Sequence, residues 1–119
     1  GRLITADGEG RLFAWDGAAW SNCLGRAQLT PVGPMAVTFD GRLYGFCGDG
    51  IARLFCLEPL AGEVRDIGVA ASVYERKRYG HCFGDAVVGR DGEIVFGEDD
   101  DLGHLWLYFP RLQGRPGAA

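Results

Sequence analysis

Acidic residues recur in short glycine-rich segments of the chain. The segments are 7–10, 48–50 and 97–103, and the last contains Glu98, Asp99 and Asp101. Ca²⁺ prefers carboxylate oxygens, so these three residues are candidate calcium ligands. The run lacks the spaced acids and the distant Glu of a known calcium-binding loop, so an ordinary solvated loop is the alternative. We expect no other cofactor.

A basic segment follows in the second half of the chain. Arg76, Lys77 and Arg78 are consecutive and precede Tyr79. Arginine binds carboxylates and phosphates through paired donors, so the run is a candidate site for acidic sugars, phosphate or an acidic peptide. We include Tyr79 and Asp49 in this predicted ligand-binding set, and a solvated loop is again the alternative.

One histidine could take part in catalysis. His81 lies four residues before Asp85, and on a strand this spacing places both side chains on the same face. The imidazole could act as acid, base or ligand, and Asp85 could orient it, so the pair is the candidate catalytic site. The structural alternatives are a loop hydrogen bond for His81 and a turn cap for Asp85. The sequence contains no G-x-S-x-G, H-E-x-x-H or G-x-x-x-x-G-K motif.

Composition limits the class of protein that carries these residues. Of the 119 residues, 20 are glycine and the net charge is −4. Glycine costs about 1 kcal/mol in a helix interior, which disfavours long helices. A nucleic-acid partner requires a basic surface, and a membrane span requires about 18 apolar residues in a row, so neither is expected. The chain starts at Gly1 without Met, so we expect a missing front and infer no cellular compartment.

The sequence repeats itself three times. Similar segments start at Gly1, Gly41 and Gly92, 40 and 51 residues apart, and each leads through a turn into an apolar run at 11–16, 53–58 or 104–109. Each segment predicts a β-hairpin, because Asp-Gly and Gly-Asp-Gly suit tight turns. Further strands are predicted at 20–24, 35–39, 63–69 and 82–88. The ten strands give a repeating unit of four, named a to d in chain order.

Both faces of these hairpins are apolar. A two-residue turn between Gly48 and Ile51 would place Leu43 opposite Cys56 and Tyr44 opposite Phe55. A sheet that is apolar on both faces must be covered on both, and without helices the cover must be other sheets. Stacked small sheets of this kind are typical of a β-propeller, whose blades have a period of about 40–50 residues. The four cysteines are predicted to be buried small hydrophobes on strands.

The segments 78–88 and 91–97 resemble kelch-type propeller repeats. They share a polar, Arg-containing start, a small-residue strand, a turn, and a strand ending in glycine. Gly41–Gly48 has the same shape, Leu12–Asp16 with Trp20 is similar to kelch strand c, and Trp15-Asp16 and Gly80-His81 are similar to WD-repeat signatures. The resemblance implies an all-β fold of antiparallel four-stranded blades, about two and a half to three of them.

The resemblance assigns blades and a function to the chain. Residues 1–110 form a partial β-propeller with strands b–d of blade 1 at 1–25, blade 2 at 34–70 and strands a–c of blade 3 at 80–110, followed by a polar tail at 111–119. Propellers close with 4–8 blades, so we expect a larger propeller or closure by oligomerisation. The favoured function is a non-catalytic binding module that presents rim loops to a protein or glycan, with the remaining blades or another subunit as further partners. The alternative is a fragment of a carbohydrate-active propeller enzyme, a lyase, hydrolase or isomerase, with His81 near the channel mouth.

Overall fold

The computed structural model describes residues 3–58, 61–72, 78–80, 83–99 and 104–111, and strands are the only regular elements within these ranges. The strands are β1 (Leu3–Ala6), β2 (Arg11–Trp15), β3 (Gly25–Arg26), β4 (Val32–Val37), β5 (Leu43–Cys47), β6 (Arg53–Glu58), β7 (Glu63–Val69), β8 (Ala71–Ser72), β9 (Arg78–Tyr79), β10 (Phe83–Val88), β11 (Ile94–Glu98) and β12 (Leu105–Tyr108). The predicted all-β class is confirmed. Within the described ranges, no helix is long and apolar enough to cross a membrane.

The strands form three antiparallel sheets that follow the sequence repeats. Sheet 1 has the order β1-β2-β3, sheet 2 the order β4-β5-β6-β7, and sheet 3 the order β10-β11-β12. A fourth, two-stranded sheet pairs β8 with β9. This small sheet lies where the sequence predicts only a loop, so the predicted total of ten strands is wrong. Two-residue strands are too short for a periodic pattern to reveal.

Turn chemistry explains why the hairpins recur. Gly41 and Gly92 have φ of 86° and 88° and end the turns from β4 to β5 and from β10 to β11. In both turns the glycine N–H donates to the carbonyl three residues earlier, at 3.0 Å for Thr38 and 3.1 Å for Gly89. A side chain is strained at such φ values, so glycine is the residue that lets the strand re-enter the sheet.

Some strands begin and end where the sequence predicts, and others do not. β6 and β7 coincide with the predicted segments at 53–58 and 63–69. The third strand of sheet 1 was predicted at 20–24, and this is wrong, because the strand lies at Gly25–Arg26 and Trp20 makes only an isolated bridge to Trp15. The Ser21 hydroxyl accepts a hydrogen bond from Ala14 N–H (2.9 Å), so a side chain here takes part in pairing to β2.

The predicted register of the central hairpin is also wrong, by one residue. Leu43 pairs with Leu57, and Tyr44 pairs with Cys56. The connection from Cys47 to Arg53 holds five residues, with Gly48 and Gly50 at φ of 102° and 88°, rather than a two-residue turn. Successive strand residues face opposite sides, so a shift of one moves every β6 side chain to the other face.

The central strands of sheet 2, β5 and β6, are buried on both faces, as the sequence predicts. All five residues of β5 are buried. One core lies between sheets 1 and 2 and consists of Leu12, Ala27, Leu43, Cys47, Phe55 and Leu57. The other core lies between sheets 2 and 3 and consists of Ala36, Tyr44, Phe46, Ala52, Leu54, Cys56, Phe83, Ile94 and Phe96. Each sheet therefore packs face to face on the next.

The prediction that the cysteines are buried is confirmed for two of the three that the structure describes. Cys47 and Cys56 are buried free thiols in the two different cores. Burial raises the pKa of the Cys47 thiol, which keeps it protonated. The prediction is wrong for Cys23, which is exposed, and its thiol donates to the Gly25 carbonyl (3.3 Å). Cys82 lies outside the described residues.

An ion pair between β6 and β7 of sheet 2 predicts how the stability of the protein responds to acid. Arg53 contacts both carboxylate oxygens of Asp66, with Nη2 2.7 Å from Oδ2 and Nε 3.2 Å from Oδ1, and Gln28 Nε2 donates to Oδ1 at 3.0 Å. The hydrogen bonds from Arg53 hold the pKa of Asp66 below its ordinary value of 3.8. A lowered pKa stabilises the fold above pH 3.8, and this stabilisation is lost as the pH falls through the folded-state value.

Asp66→Asn should therefore lose less stability on acidification than the wild type. We would measure thermal midpoints at pH 7 and pH 3, and expect a smaller drop for the variant. Arg53→Gln removes the cause of the lowered pKa and should give the same smaller drop. Equal drops in all three proteins would contradict the assignment.

Candidate functional site

The structure describes two side chains of the predicted ligand-binding set, those of Asp49 and Tyr79. Asp49 is exposed in the connection between β5 and β6, and Tyr79 is exposed on β9. Ala52 N–H donates to the Gly80 carbonyl (3.3 Å), which holds these two segments against each other. Of the basic run, only the backbone of Arg78 is described, and Arg76 and Lys77 lie outside the described residues. An exposed acid and an exposed phenol therefore lie on adjoining segments.

The candidate catalytic pair is described for one member only. Asp85 lies on β10, is exposed, and accepts a hydrogen bond from Ala86 N–H (2.8 Å). Val87, two residues along, is exposed on the face turned away from sheet 2, and Asp85 shares that face. His81 lies outside the described residues, so its pairing with Asp85 stays a prediction.

Glu98 differs from its predicted place in a solvated loop. It ends β11 with its side chain buried, and its carboxylate accepts a hydrogen bond from the indole N–H of Trp106. Asp99 is exposed beside Gly84, and Asp101 lies outside the described residues. Within the described part of the chain, no group of three or more His, Cys, Asp or Glu residues is placed to hold a metal ion. Glu98 thus anchors Trp106, whereas Asp99 faces solvent.

Sheet 3 exposes apolar side chains on the face turned away from sheet 2. We call Val87, Leu105 and Leu107 the trailing face. The alternate residues Trp106, Tyr108 and Val88 pack on sheet 2 instead. Leu105 is 68% exposed, but the residues at the same repeat position, Leu54 and Leu12, are 6% and 0% exposed. The trailing face therefore carries residues of the kind that the repeat buries against a following sheet.

Sheet 1 exposes apolar side chains on the face turned away from sheet 2, at the other end of the stack of sheets. We call Leu3, Phe13 and Trp20 the leading face, and Phe13 and Trp20 line a shallow cavity of about 350 Å³. Leu3 is 62% exposed, whereas its repeat equivalents Leu43 and Ile94 are each 1% exposed against the preceding sheet. The leading face therefore carries residues of the kind that the repeat buries against a preceding sheet.

Sequence reasoning missed a cluster of arginines between sheets 2 and 3. A cavity of about 360 Å³ is lined by a set that we call the arginine mouth: Arg42, Tyr44, Arg65, Ile67, Tyr108 and Arg111. Glu58 Oε1 lies 3.2 Å from Arg42 Nη2 and 3.8 Å from Arg65 Nη2. Asp40 Oδ2 lies 3.6 Å from Arg42 Nη1. Arg42 Nη1 also donates to the Arg111 carbonyl (3.1 Å), and the Arg42 and Arg65 guanidinium groups are both paired with carboxylates.

The two phenols of the arginine mouth remain hydrogen-bond donors. Burial raises the pKa of both Tyr44 and Tyr108 above the ordinary range, so both hydroxyls stay protonated at neutral pH. Their rings pack together with centroids 5.7 Å apart. Protonated hydroxyls beside guanidinium groups supply donors to a carboxylate or phosphate.

An apolar cleft adjoins the arginine mouth. It has a volume of about 330 Å³, and its walls include Phe46, Phe96 and Trp106. Ile67 and Tyr108 line both the cleft and the arginine mouth. An apolar cavity and a cavity lined by arginines therefore lie side by side.

The register error explains why the sequence did not reveal the arginine mouth. In the structure Tyr44 pairs with Cys56, and Cys56 pairs with Arg65, so the three side chains form one row across sheet 2. The predicted register placed Cys56 opposite Leu43 and on the other face. The five-residue connection between β5 and β6 aligns this row, whereas a two-residue turn does not.

Comparison with protein-family models and with curated proteins finds no match for this chain. The kelch-type resemblance therefore stays a prediction.

Proposed function

We propose that the chain is a sector of a β-propeller and works as a non-catalytic interaction module. It docks further sheets of the same repeat through its leading and trailing faces, and it presents rim loops to a protein or glycan. The observation that carries the proposal is the contrast between exposed Leu3 and Leu105 and their buried repeat equivalents. The docked sheets come from the remainder of a larger propeller or from another subunit.

The physical argument is the cost of leaving these faces in water. Burying one large apolar side chain is worth about 1.5–3 kcal/mol. The trailing face exposes Val87, Leu105 and Leu107, and the leading face exposes Leu3 and Trp20. The trailing face carries apolar residues at the repeat positions that sheet 2 buries against sheet 3. The leading face carries apolar residues at the repeat positions that sheet 2 buries against sheet 1. The two faces are thus complementary halves of one recurring interface, which is the condition for head-to-tail docking.

Ligand presentation is supported by the connection between the rim segments. The hydrogen bond from Ala52 to Gly80 fixes the turn that carries Asp49 against the segment that carries Tyr79. Loops held by a rigid sheet are the usual place for binding residues. Rim binding and sheet docking use different surfaces, so both can occur together.

Leu105→Glu should weaken docking by at least about tenfold, because it places a charge in the buried centre of the interface. We would measure molar mass by light scattering over a concentration series. The wild-type mass should rise above that of a single chain at high concentration, and the variant should stay monomeric over the same range.

Ile51→Glu is the matched control for this experiment. Ile51 is exposed between β5 and β6, outside both end faces, so its variant should associate like the wild type. A wild-type chain that stays monomeric at every concentration and melts cooperatively would contradict the proposal.

A further inference from the structure

A polar cavity lies where the chain passes from sheet 1 to sheet 2. Its walls come from the turn between β1 and β2 and from the link between β3 and β4, and we call it the link cavity. It has a volume of about 560 Å³ and is lined by Glu9, Arg26, Ala27, Gln28, Leu29 and Thr30. Cavities of this size hold small organic ligands.

The link cavity is remote from both ends of the described chain. Leu3 pairs with Trp15, at the far end of β2 from the turn that lines the cavity. The Arg111 carbonyl accepts a hydrogen bond from Arg42, which lies in the connection between β4 and β5. β4 begins beside the link cavity and ends at that connection, so both chain ends lie at the opposite end of the sheets.

Hydrogen bonds hold the link in place at both of its ends. Ala27 N–H donates to the Gly10 carbonyl (2.8 Å), which ties the start of the link to the turn between β1 and β2. Gly48 N–H donates to the Pro31 carbonyl (2.9 Å), which ties the end of the link to sheet 2. The cavity is therefore formed before a ligand arrives, and binding has little ordering cost.

The side chains of the link cavity retain hydrogen-bonding groups for a ligand. Arg26 donates through Nε to the Glu9 carbonyl (3.0 Å), and no carboxylate of the described residues lies within ion-pair distance of it. Gln28 donates through Nε2 to Asp66 (3.0 Å), which leaves its Oε1 as an acceptor. The Thr30 hydroxyl has no partner in the described part of the chain. Guanidinium, hydroxyl, carboxylate and amide groups thus supply both donors and acceptors.

The charges of the link cavity cancel. Glu9 and Arg26 carry single charges of opposite sign, and Glu9 Oε2 also lies 3.4 Å from Arg11 Nη2. An anion would be repelled by Glu9, and a cation by Arg26. Neutral hydroxyl groups suit both, because a hydroxyl can donate to a carboxylate and accept from a guanidinium. The exposed Leu29 side chain adds an apolar contact of the kind that the C–H face of a sugar ring can make.

We infer that the link cavity binds a neutral saccharide. The sugar hydroxyls donate to the carboxylate and the amide oxygen and accept from the guanidinium and the threonine hydroxyl, and a ring face contacts Leu29. The inference rests on the ligand-presenting part of the proposed function, and it narrows the ligand from a protein or glycan to a neutral glycan. Sheet docking is not required, because every wall of the link cavity belongs to one chain.

The probes are neutral trisaccharides of glucose, galactose and mannose. We would titrate each into the full chain and follow the backbone amides by NMR. At least one should bind, with its largest shifts at Gly10, Gln28 and Leu29. Arg26→Ala should weaken that trisaccharide about tenfold, because it removes hydrogen bonds from a charged donor.

Arg90→Ala is the matched control. Arg90 is also exposed, and it lies in the turn between β10 and β11, at the opposite end of the sheets. Its variant should bind the trisaccharide like the wild type. A trisaccharide of uronic acids should bind more weakly than the neutral one, and Glu9→Gln should relieve part of this difference by removing the repulsion. Thermal melts would establish that the variants are folded.

Three results would overturn the inference. One is the absence of amide shifts with every neutral trisaccharide at millimolar concentration, and another is equal affinity of Arg26→Ala and the wild type. The third is equally tight binding of a neutral peptide of Gly, Ser and Asn, which would assign the cavity to a protein ligand and leave the proposed function standing. Arg26→Ala should leave self-association by light scattering unchanged, so loss of saccharide binding is distinguishable from failure of sheet docking.

Discussion

Phe55→Ala is expected to lower the free energy of unfolding by about 3–5 kcal/mol, the largest loss of any single change that we consider. Phe55 is fully buried on β6, in the core that joins sheets 1 and 2. The same core contains Leu12 of sheet 1 and Leu43 of sheet 2, so truncation would leave a cavity between the two sheets. Urea denaturation monitored by circular dichroism would measure the loss.

Phe109→Ala is the matched control, because Phe109 is the same residue type and is 73% exposed. It should cost less than about 0.5 kcal/mol. Phe55→Leu retains part of the volume and should fall between the two, which keeps the comparison usable if Phe55→Ala does not fold. Similar stabilities for the Phe55 and Phe109 variants would contradict the packing described here.

Gly45→Ala is expected to cost about 1–3 kcal/mol by overpacking. Gly45 lies opposite Phe55 in the central hairpin, and a Cβ at this position would lie 2.7 Å from Phe55 Cζ and 2.9 Å from Met35 Cγ. Both distances are well below van der Waals contact, so the ring and the thioether must move. The loss would be measured by the same denaturation experiment.

Gly97→Ala separates overpacking from the general effect of alanine in a strand. Gly97 lies on β11 with nothing near its hypothetical Cβ, so alanine there should be neutral or slightly stabilising. Combining Gly45→Ala with Phe55→Leu should reduce the cost of the alanine, because the shorter side chain vacates the ring position. Strict additivity of these two changes would show that Gly45 and Phe55 do not interact.

Local chemistry explains why much of the fold was predictable. The turns around Gly41 and Gly92 contain Asp-Gly pairs, and glycine at positive φ is what such turns require. The segment 53–58 contains four consecutive apolar residues and neither Gly nor Pro, and β6 matches it. The segment 63–69 contains Val64, Ile67 and Val69, and β7 matches it. Apolar residues on both faces of the central hairpin also predicted that other sheets cover sheet 2 on both faces.

The register and the short strands depended on features that composition does not reveal. The sequence Gly48-Asp49-Gly50 suits a two-residue turn as well as a longer one, because turns of either length use glycine at positive φ. In the structure both glycines have positive φ. Choosing between them requires knowing which face of β6 the cores accept, which is a tertiary property. Ladders of two residues, as in β3 and β8, have no period from which to predict them.

The candidate sites were less predictable than the fold because they join distant segments. Arg42, Arg65 and Arg111 are isolated in the sequence and meet only through strand pairing and the packing of sheet 3 on sheet 2. Glu98 was assigned to an acidic loop by its neighbours, yet strand alternation turns it inward to Trp106. A linear charge pattern carries no information on which side of a sheet a residue faces.

Stacking in a single direction has a consequence for how the protein unfolds. Sheet 2 has two neighbours, whereas sheets 1 and 3 each pack on one within the described residues. Stability in such an array is approximately a sum of terms within each sheet and terms between nearest neighbours. The terminal sheets are therefore the first to open in local fluctuations, and the middle sheet opens only with the whole. Docking another sheet at either end turns a fraying end into an interior position, so assembly and local rigidity rise together.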